Sequence, residues 1–288
     1  MRFDYHEPAS VADAVALAAR FGDAARFLAG GTDLIIQMRR GRIAPRHVVS
    51  LRRLTGLDTI AVNGEVLLGS LVTHRALERV PHFQGALRAL VEGAEVIGGH
   101  QVRNVATVGG NIVNASPAAD LVPVLLALDA VVTCVGAGGE RTLPLADFLL
   151  GPGRTSRRPD DLLTAVRFPW PAPRTATAFL KAGRRRAMEI SVACVAARLT
   201  LDAGGSCAAA AIALGAVAPT TMRAAQAEAG LVGRPLTAAT LREAGRAAAA
   251  ACAPIDDVRA SAHYRRLLVA TLVPRALERC AERIEAPR

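Results

Sequence analysis

The sequence predicts an α+β fold in two parts, and three features of the chain support this prediction. The chain has 288 residues and is 51% hydrophobic, which exceeds one average domain and allows a sizeable core. The segment PWPAP at Pro169–Pro173 breaks the composition, because proline cannot continue a helix or a central strand. Beyond it, strands precede helices, an order typical of helices packed on an antiparallel sheet.

Local signals predict the elements before this break. Ser10 followed by Asp13 resembles a capping box and opens a helix that ends near Phe21. Asn63-Gly64 between apolar runs is a strong hairpin signal. Pro117 favours the first turn of a helix, in which Pro123 should cause a kink or an early end. Strands are predicted at 26–29, 47–51, 57–62, 65–70, 130–135, 141–145 and 162–168, and helices from 32 and at 73–79, 83–97 and 117–128.

The residues after the break form the second predicted domain. Strands are predicted at 176–182, 191–201 and 206–216, and helices at 221–231, 237–252 and 261–285. Alanine runs within these elements indicate close packing. The predicted domain bounds are 1–174 and 175–288.

The charge of the chain does not indicate a nucleic-acid-binding protein. The formal net charge is +10, but the basic residues are spread along the chain and aromatic residues make up only 3%. Stacking platforms for bases are therefore scarce. All but one of the 35 basic residues are arginine, and the exception is Lys181. The run Arg184–Arg186 is interpreted as a solvated turn.

Membrane and metal sites are also not predicted. No run of 18 apolar residues occurs, and the first ten residues lack the apolar core of a secretory signal. The cysteines show no CxxC spacing, so zinc ribbons and iron–sulfur clusters have no support, and scattered thiols favour a cytoplasmic location. The histidines show no metal-binding spacing and are interpreted as structural or exposed. The residues concerned are Cys134, Cys194, Cys207, Cys252, Cys280, His47, His74, His82 and His100.

A first glycine-rich segment, LAGGTDLI at residues 28–35, is a candidate phosphate-binding loop. Gly30 and Gly31 can turn successive N–H groups toward one point, Thr32 can donate a hydroxyl, and the following helix adds a favourable dipole. The segment is neither a Rossmann fingerprint nor a P-loop, because its glycines are adjacent and no Gly-Lys-Ser/Thr follows. The alternative is an ordinary glycine turn between a strand and a helix.

A second glycine-rich segment, TVGGN, follows far along the chain. Thr107 and Asn111 flank Gly109 and Gly110 and offer hydroxyl, amide and backbone donors. Asp120 can accept hydrogen bonds from sugar-like hydroxyls, although an acid near a helix start also has a purely structural explanation. Two such loops folded together would form a cradle for a pyrophosphate. The pair therefore predicts a dinucleotide cofactor.

The order and spacing of LAGGTDLI, VIGGHQVRNVATVGGNIVNASPAAD and AFLKAGRRR resemble the FAD-binding medium subunit of the molybdenum hydroxylases, the xanthine dehydrogenase and carbon monoxide dehydrogenase family. The resemblance covers essentially the whole chain, and NIVNASPAAD is more similar to the xanthine dehydrogenase branch. It implies an FAD-binding domain of the PCMH or vanillyl-alcohol-oxidase type, with subdomains split near residue 55. A smaller α+β domain, with an antiparallel sheet packed on helices, would follow.

The resemblance also implies cofactor-binding residues. The two segments would wrap the pyrophosphate and ribityl region, Asp120 would bond a hydroxyl, and Ile97 stands where some relatives carry an aromatic residue on the flavin. Glu189 falls where relatives carry an acid near the flavin edge, but a surface charge explains it equally well. The implied FAD-binding residues are Leu28, Ala29, Gly30, Gly31, Thr32, Asp33, Leu34, Ile35, Ile97, Thr107, Val108, Gly109, Gly110, Asn111, Asp120, Leu163 and Lys181.

The implied function is electron relay. Electrons would come from the molybdopterin-binding large subunit through the [2Fe-2S] clusters of a small subunit to FAD, and then to NAD, a quinone-like carrier or oxygen. The expected assembly is a dimer of heterotrimers. No side chains show the pattern of an acid–base or nucleophile pair, so no catalytic residue is predicted. The alternatives are a self-contained FAD oxidase or reductase and a flavin-free scaffold subunit.

Overall fold

The computed structural model describes residues 2–185 and 187–286. The chain begins with a small parallel sheet of order β1-β3-β2, on which one helix packs. In that helix the Ser10 hydroxyl accepts a hydrogen bond from the Asp13 amide at 3.0 Å, as the capping pattern predicts. The elements are β1 (Asp4–His6), α1 (Val11–Phe21), β2 (Ala25–Leu28), α2 (Leu34–Arg39) and β3 (His47–Ser50).

A five-stranded antiparallel sheet of order β4-β5-β10-β6-β7 follows, with short helices packed on it. The hairpin at Asn63-Gly64 is confirmed, because it joins β4 to β5. The strands of this sheet are β4 (Ile60–Val62), β5 (Glu65–Gly69), β6 (Val131–Gly136), β7 (Gly139–Pro144) and β10 (Leu162–Pro169), whereas β8 (Leu149–Gly151) and β9 (Arg154–Thr155) form a separate two-stranded sheet. The helices are α3 (His74–Glu78), α4 (Arg88–Glu95), α5 (His100–Arg103), α6 (Val108–Val113), α7 (Leu121–Ala127) and α8 (Leu145–Phe148).

The chain ends in a four-stranded antiparallel sheet of order β11-β12-β13-β14 followed by helices, so the predicted α+β fold class is confirmed. The strands are β11 (Thr175–Ala182), β12 (Ala193–Leu201), β13 (Cys207–Gly215) and β14 (Met222–Arg223). The helices are α9 (Ala225–Ala229), α10 (Ala238–Ala251) and α11 (Ala262–Glu285).

Both faces of this last sheet are buried. Along β12, Ala196 packs into the core shared with the first part of the chain, whereas Ala197 packs into the core shared with α10 and α11. Successive strand residues point to opposite faces, so one sheet serves two cores. Small side chains let helices approach both faces closely, which explains the alanine-rich strands.

The predicted helix at 117–128 is shorter than expected and is not interrupted. It begins at Leu121 with Asp120 at the N-cap, so Pro117 lies outside it. Pro123 falls in the first turn, where the backbone N–H that proline lacks would have no partner within the helix. The prediction of a kink or an early end at Pro123 was wrong.

Other elements differ from the predictions at their boundaries. The helix predicted at 83–97 is a 3-10 turn at Pro81–Gln84 and then α4, because the backbone of Gly85 between them is not helical. The segment predicted as one helix at 221–231 contains two elements. It begins with the short strand β14, which pairs with β13, and continues with the helix α9. The strand β1 was not predicted. The first sheet ends at Ser50 and the second begins at Ile60, while the domain bounds themselves stay predictions.

In the part of the chain that the structure describes, none of the helices combines the length and apolar character needed to cross a membrane.

Candidate functional site

A cleft of about 700 Å³ lies between the small first sheet and the five-stranded sheet. Its walls come from the end of β2, the first glycine segment, α2, the residues from Ile97 to Asn114 and the start of β10. Clefts of this size are typical of sites for small molecules and cofactors. The two glycine segments, far apart in sequence, therefore meet at one cavity.

The first glycine segment has a backbone that only glycine fits well. Gly31 has φ of +73°, in the left-handed region. A Cβ on Gly30 would stand 1.8 Å from the carbonyl oxygen of Val105, so the segment presses directly on the residues that precede α6. Within the described residues, the backbone N–H groups of residues 29–34 donate to no acceptor. This loop can therefore offer several amide donors to a ligand.

The second glycine segment is a capped helix start and not a loop of free amides. The Thr107 hydroxyl accepts from the Gly110 amide at 3.0 Å. The amides of Val108, Gly109 and Asn111 donate to the carbonyl oxygens of Val72, Ser70 and Thr107. The expectation that the amides of residues 108–111 are available to a pyrophosphate was wrong, because all four donate within the protein. The side chains of this segment remain candidates.

The packing of this segment depends on Gly109. A Cβ at that position would lie 2.6 Å from the Cβ of Ser70, so only glycine lets α6 approach the end of β5. Glycine here serves close packing, whereas Gly31 serves backbone conformation.

Three buried polar atoms in the cleft wall have no hydrogen-bond partner among the described residues. They are Ser70 Oγ, His74 Nδ1 and Asn111 Oδ1. A buried polar atom without a partner is costly, so a ligand that pairs with these atoms is favoured. Burial lowers the pKa of His74 to about 4, so this imidazole is neutral at pH 7. Sequence reasoning missed Ser70 and His74, because neither belongs to a glycine motif.

A short series of side-chain hydrogen bonds connects the first glycine segment with the residues after the second. Asn114 Nδ2 donates to Asp33 Oδ1 at 3.2 Å, and Gln37 Nε2 donates to Asn114 Oδ1 at 3.4 Å. Burial raises the pKa of Asp33 above its usual range. Asn114 and Gln37 were not predicted, since their role depends on a contact between distant segments.

Most of the predicted site residues line this cleft. They are residues 29–34, Ile97, Leu163, Thr107 and the run Gly109–Asn111. Leu28 and Ile35 do not line the cleft but pack close to Gly31, since a Cβ at Gly31 would meet their side chains at 3.2 and 3.1 Å. Val108 is fully buried in the main core. The cofactor contacts of all these residues stay predictions.

Asp120 and Lys181 lie outside the residues that line the cleft. Lys181 Nζ donates to Asp120 Oδ2 at 2.6 Å, to the Glu189 carbonyl at 2.8 Å and to the Val96 carbonyl at 3.3 Å. Ser191 Oγ donates to Asp120 Oδ1 at 2.5 Å. Burial raises the pKa of Asp120, and the Lys181 ammonium and the Ser191 hydroxyl oppose that shift. All three ammonium hydrogens of Lys181 have acceptors, so this geometry does not support direct cofactor contact.

The ion pair instead supports the wall of the cleft. Lys181 holds the carbonyl of Val96, whose neighbour Ile97 lines the cavity. Arg103 donates to the carbonyls of Ile97 and Gly98 at 3.2 and 3.3 Å, and its own charge is paired with the buried Glu78. Two cations from distant parts of the sequence therefore fix one short loop.

The predicted solvated turn is described in part. Arg184 and Arg185 are 58% and 67% exposed, and both pair with Glu189. Arg186 lies outside the described residues. Glu189 does not line the cleft.

The cleft fits a dinucleotide such as FAD. The free amides of the first glycine segment suit phosphate oxygens, and the unpartnered atoms of Ser70, His74 and Asn111 suit hydroxyl and amide groups. Ile97 and Leu163 add apolar surface for planar rings. This fold and this cavity define a dinucleotide-cofactor-binding protein.

Comparison with known proteins identifies the family. The family described as "FAD binding domain in molybdopterin dehydrogenase" matches residues 1–171, and the "CO dehydrogenase flavoprotein C-terminal domain" matches residues 178–280. The carbon monoxide dehydrogenase medium chain of Afipia carboxidovorans is 36% identical, over 98% of this chain and 97% of that protein. A putative xanthine dehydrogenase FAD-binding subunit of Escherichia coli is also 36% identical, over 95% of this chain and 94% of that protein.

A solved structure agrees with the sequence comparisons. Reconstituted CO dehydrogenase from Oligotropha carboxidovorans superposes with a TM-score of 0.94 at 35% identity, over 98% of this chain and 99% of that chain. This chain therefore belongs to the family of FAD-binding subunits of the molybdopterin dehydrogenases. The predicted family, the oxidoreductase class and the FAD cofactor are confirmed. Equal identity to the two kinds of relative does not separate the xanthine and carbon monoxide branches.

Proposed function

We propose that this chain receives electrons at FAD in the described cleft and delivers them to a terminal acceptor, which is NAD, a quinone-like carrier or oxygen. The single observation that supports this best is the cleft itself, with free amides from one glycine segment and unpartnered polar atoms on the facing wall. When bound, FAD supplies the redox chemistry, and the protein supplies position and electrostatics.

The chain's own residues define how the cofactor is held. Amides of residues 29–34 would bind phosphate oxygens, while Ser70, His74 and Asn111 would bind polar groups of the cofactor along the cleft wall. His74 stays neutral at pH 7, so it adds no charge beside the cofactor. Ile97 and Leu163 would offer apolar surface to the planar rings.

The electron donors are placed on other chains. We propose assembly with a [2Fe-2S] small subunit and a molybdopterin-binding large subunit, as a dimer of heterotrimers. Large apolar side chains near the start of α11 support an interface, because Ile255, Val258 and Leu267 are 68%, 93% and 51% exposed. The five cysteines are all reduced and buried, which supports a cytoplasmic location.

The relay role is tested with the assembled complex after removal of its flavin. Substrate should still reduce the iron–sulfur clusters, whereas reduction of the terminal acceptor should stop and return when FAD is added. A flavin-free complex that reduces the acceptor at the full rate would overturn the proposal. An isolated chain that oxidises substrate without partners would favour the self-contained oxidase.

A further inference from the structure

One end of the cleft carries two guanidinium groups that form no ion pair with a carboxylate among the described residues. Arg26 and Arg157 both line the cavity. Among the described residues, neither has an Asp or Glu oxygen within 4.0 Å, although most other partly buried arginines of the chain have such a partner. The nearby carboxylate of Asp161 is bound by Arg141 at 2.6 Å. The carboxylates of Asp160 and Asp161 act on Arg157 only from beyond 4.0 Å. Two neighbouring guanidinium groups without a directly bound carboxylate favour an anionic ligand.

The two arginines are held in place by backbone atoms. Arg157 Nη1 donates to the carbonyls of Arg158, Pro159 and Asp161 at 3.0, 3.2 and 2.8 Å. Arg26 Nη1 donates to the carbonyls of Asp23 and Ala25 at 2.9 and 2.7 Å. The Nε and Nη2 groups of both side chains have no acceptor among the described residues. Burial and the charge of Arg26 lower the pKa of Arg157, which remains protonated at neutral pH.

An aromatic ring completes this end of the cleft. The guanidinium carbon of Arg157 stands 6.0 Å from the ring centroid of Phe27, at the outer limit of a cation–π contact. A planar guanidinium stacks on aromatic rings and on bases, and it also binds phosphate oxygens. Leu162 and Leu163 add apolar surface beside it.

The position of Arg26 along the strand assigns it to one half of the cofactor. β2 runs directly into the first glycine segment, so Arg26 lies about 13 Å before Gly30 along an extended chain. The cavity is also lined by the apolar side chains of Ile97 and Val102. If the pyrophosphate lies at the glycine segment, the apolar flavin ring suits these two side chains and the adenosine suits the two arginines.

We propose that Arg26 and Arg157 bind the adenylate half of FAD and make the cleft select FAD over FMN. The inference rests on the proposed function, because it assumes that the cleft holds FAD. Arg157 stacks on the adenine ring, with Phe27 behind it, and Arg26 adds positive charge toward the phosphate of that half.

The test measures binding of FAD and of FMN to the flavin-depleted assembled complex by quenching of flavin fluorescence. The wild type should prefer FAD, and Arg157→Gln and Arg26→Gln should each weaken FAD binding by about tenfold while FMN binding is unchanged. AMP should compete with FAD in the wild type and lose this effect in both variants. Arg158→Gln is the matched control, because Arg158 is exposed and does not line the cleft.

Arg157→Lys separates the two possible contributions. It keeps the charge but loses the planar group, so stacking predicts that this variant binds FAD as weakly as Arg157→Gln. Because Arg157 also holds its own loop, Arg26→Gln tests the subsite without that contact. An unchanged preference for FAD in both glutamine variants, or an equal loss of FMN binding, would overturn the inference. A wild type that binds neither flavin would overturn the proposed function itself.

Discussion

Single residues decide whether the cleft can form. Gly30, Gly31 and Gly109 are each required for a different physical reason: close approach to Val105, a left-handed backbone and close approach to Ser70. The sequence indicated that paired glycines bring backbone near a ligand. It did not indicate that Gly109 faces the protein, because that depends on the strand that packs against it.

Gly109→Ala should destabilise the protein, since the added Cβ would stand 2.6 Å from the Cβ of Ser70 and force α6 away from β5. We expect a loss of about 1–3 kcal/mol in the free energy of unfolding, as for other overpacked sites. Chemical denaturation measures it. Gly230→Ala is the control, because Gly230 has a helical backbone and its added Cβ would meet no atom closer than 3.4 Å; equal stability of the two variants would show that the contact with Ser70 does not require glycine.

His74 predicts a specific pH dependence of stability. In the unfolded chain His74 takes up a proton near pH 6.5, whereas in the folded protein burial delays this to about pH 4. The unfolded state therefore binds more protons in that window, and stability should fall by about 3 kcal/mol as the pH drops from 6.5 to 4.

His74→Gln should remove this part of the acid destabilisation, as measured by urea denaturation across the same pH range. His82→Gln, at an exposed histidine, is the control and should keep the wild-type slope. If His74→Gln and the wild type lose stability in parallel, His74 is not the group responsible.

At the scale of elements, the sequence predicted which segments carry the site more accurately than it predicted the conformation of those segments. Thr107 caps α6 and the first glycine segment ends β2, so both motifs lie at element boundaries, as their residue types suggest. The sequence predicted that a helix starting at Thr32 would add a favourable dipole for a phosphate. This prediction has little basis, because α2 begins only at Leu34 and has 6 residues. Local sequence cannot reveal that Ser70 and Val72, just after β5, accept two amides of the second segment, since that pairing joins distant residues.

The loop at Val96–Gly98 depends on the ion pair between Lys181 and Asp120. Lys181→Met would leave Asp120 buried without its cation, which typically costs about 3–5 kcal/mol. We also expect weaker FAD binding, because the Val96 carbonyl loses its donor and Ile97 shifts. Thermal denaturation and flavin titration measure the two effects.

The double variant Asp120→Asn with Lys181→Met should recover part of the stability, because no buried charge remains. Arg198→Met, at a more exposed pair in which Asp129 keeps Arg223, should cost at most about 1 kcal/mol. A loss in Lys181→Met no larger than in this control would show that the ion pair does not hold the loop.

At the scale of the whole molecule, one sheet joins the two parts of the chain. The order of strands and helices predicted this sheet, and the alanine runs predicted close packing. These patterns did not predict that both faces of the sheet are buried. The core on the face opposite α10 and α11 comes from α4, α7 and other elements far away in sequence.

Ala196→Leu should therefore destabilise the protein by about 1–3 kcal/mol, because Ala196 is fully buried between the sheet and the first part of the chain. Ala209→Leu, at an exposed position of the same sheet, should be close to neutral. Differential scanning calorimetry compares the two variants. Equal melting temperatures would contradict a sheet that is packed on both faces.

The flavin content of the assembled complex shows whether the cleft at the two glycine segments holds FAD. The complex is incubated with FAD and desalted, and the flavin is identified after acid release. We predict about one FAD per copy of this chain in the wild type and in Gly230→Ala, and almost none in Gly30→Ala, whose Cβ would stand 1.8 Å from the Val105 carbonyl oxygen. Circular dichroism confirms that the variant is folded. Full FAD content in folded Gly30→Ala, or none in the wild type, would contradict the account.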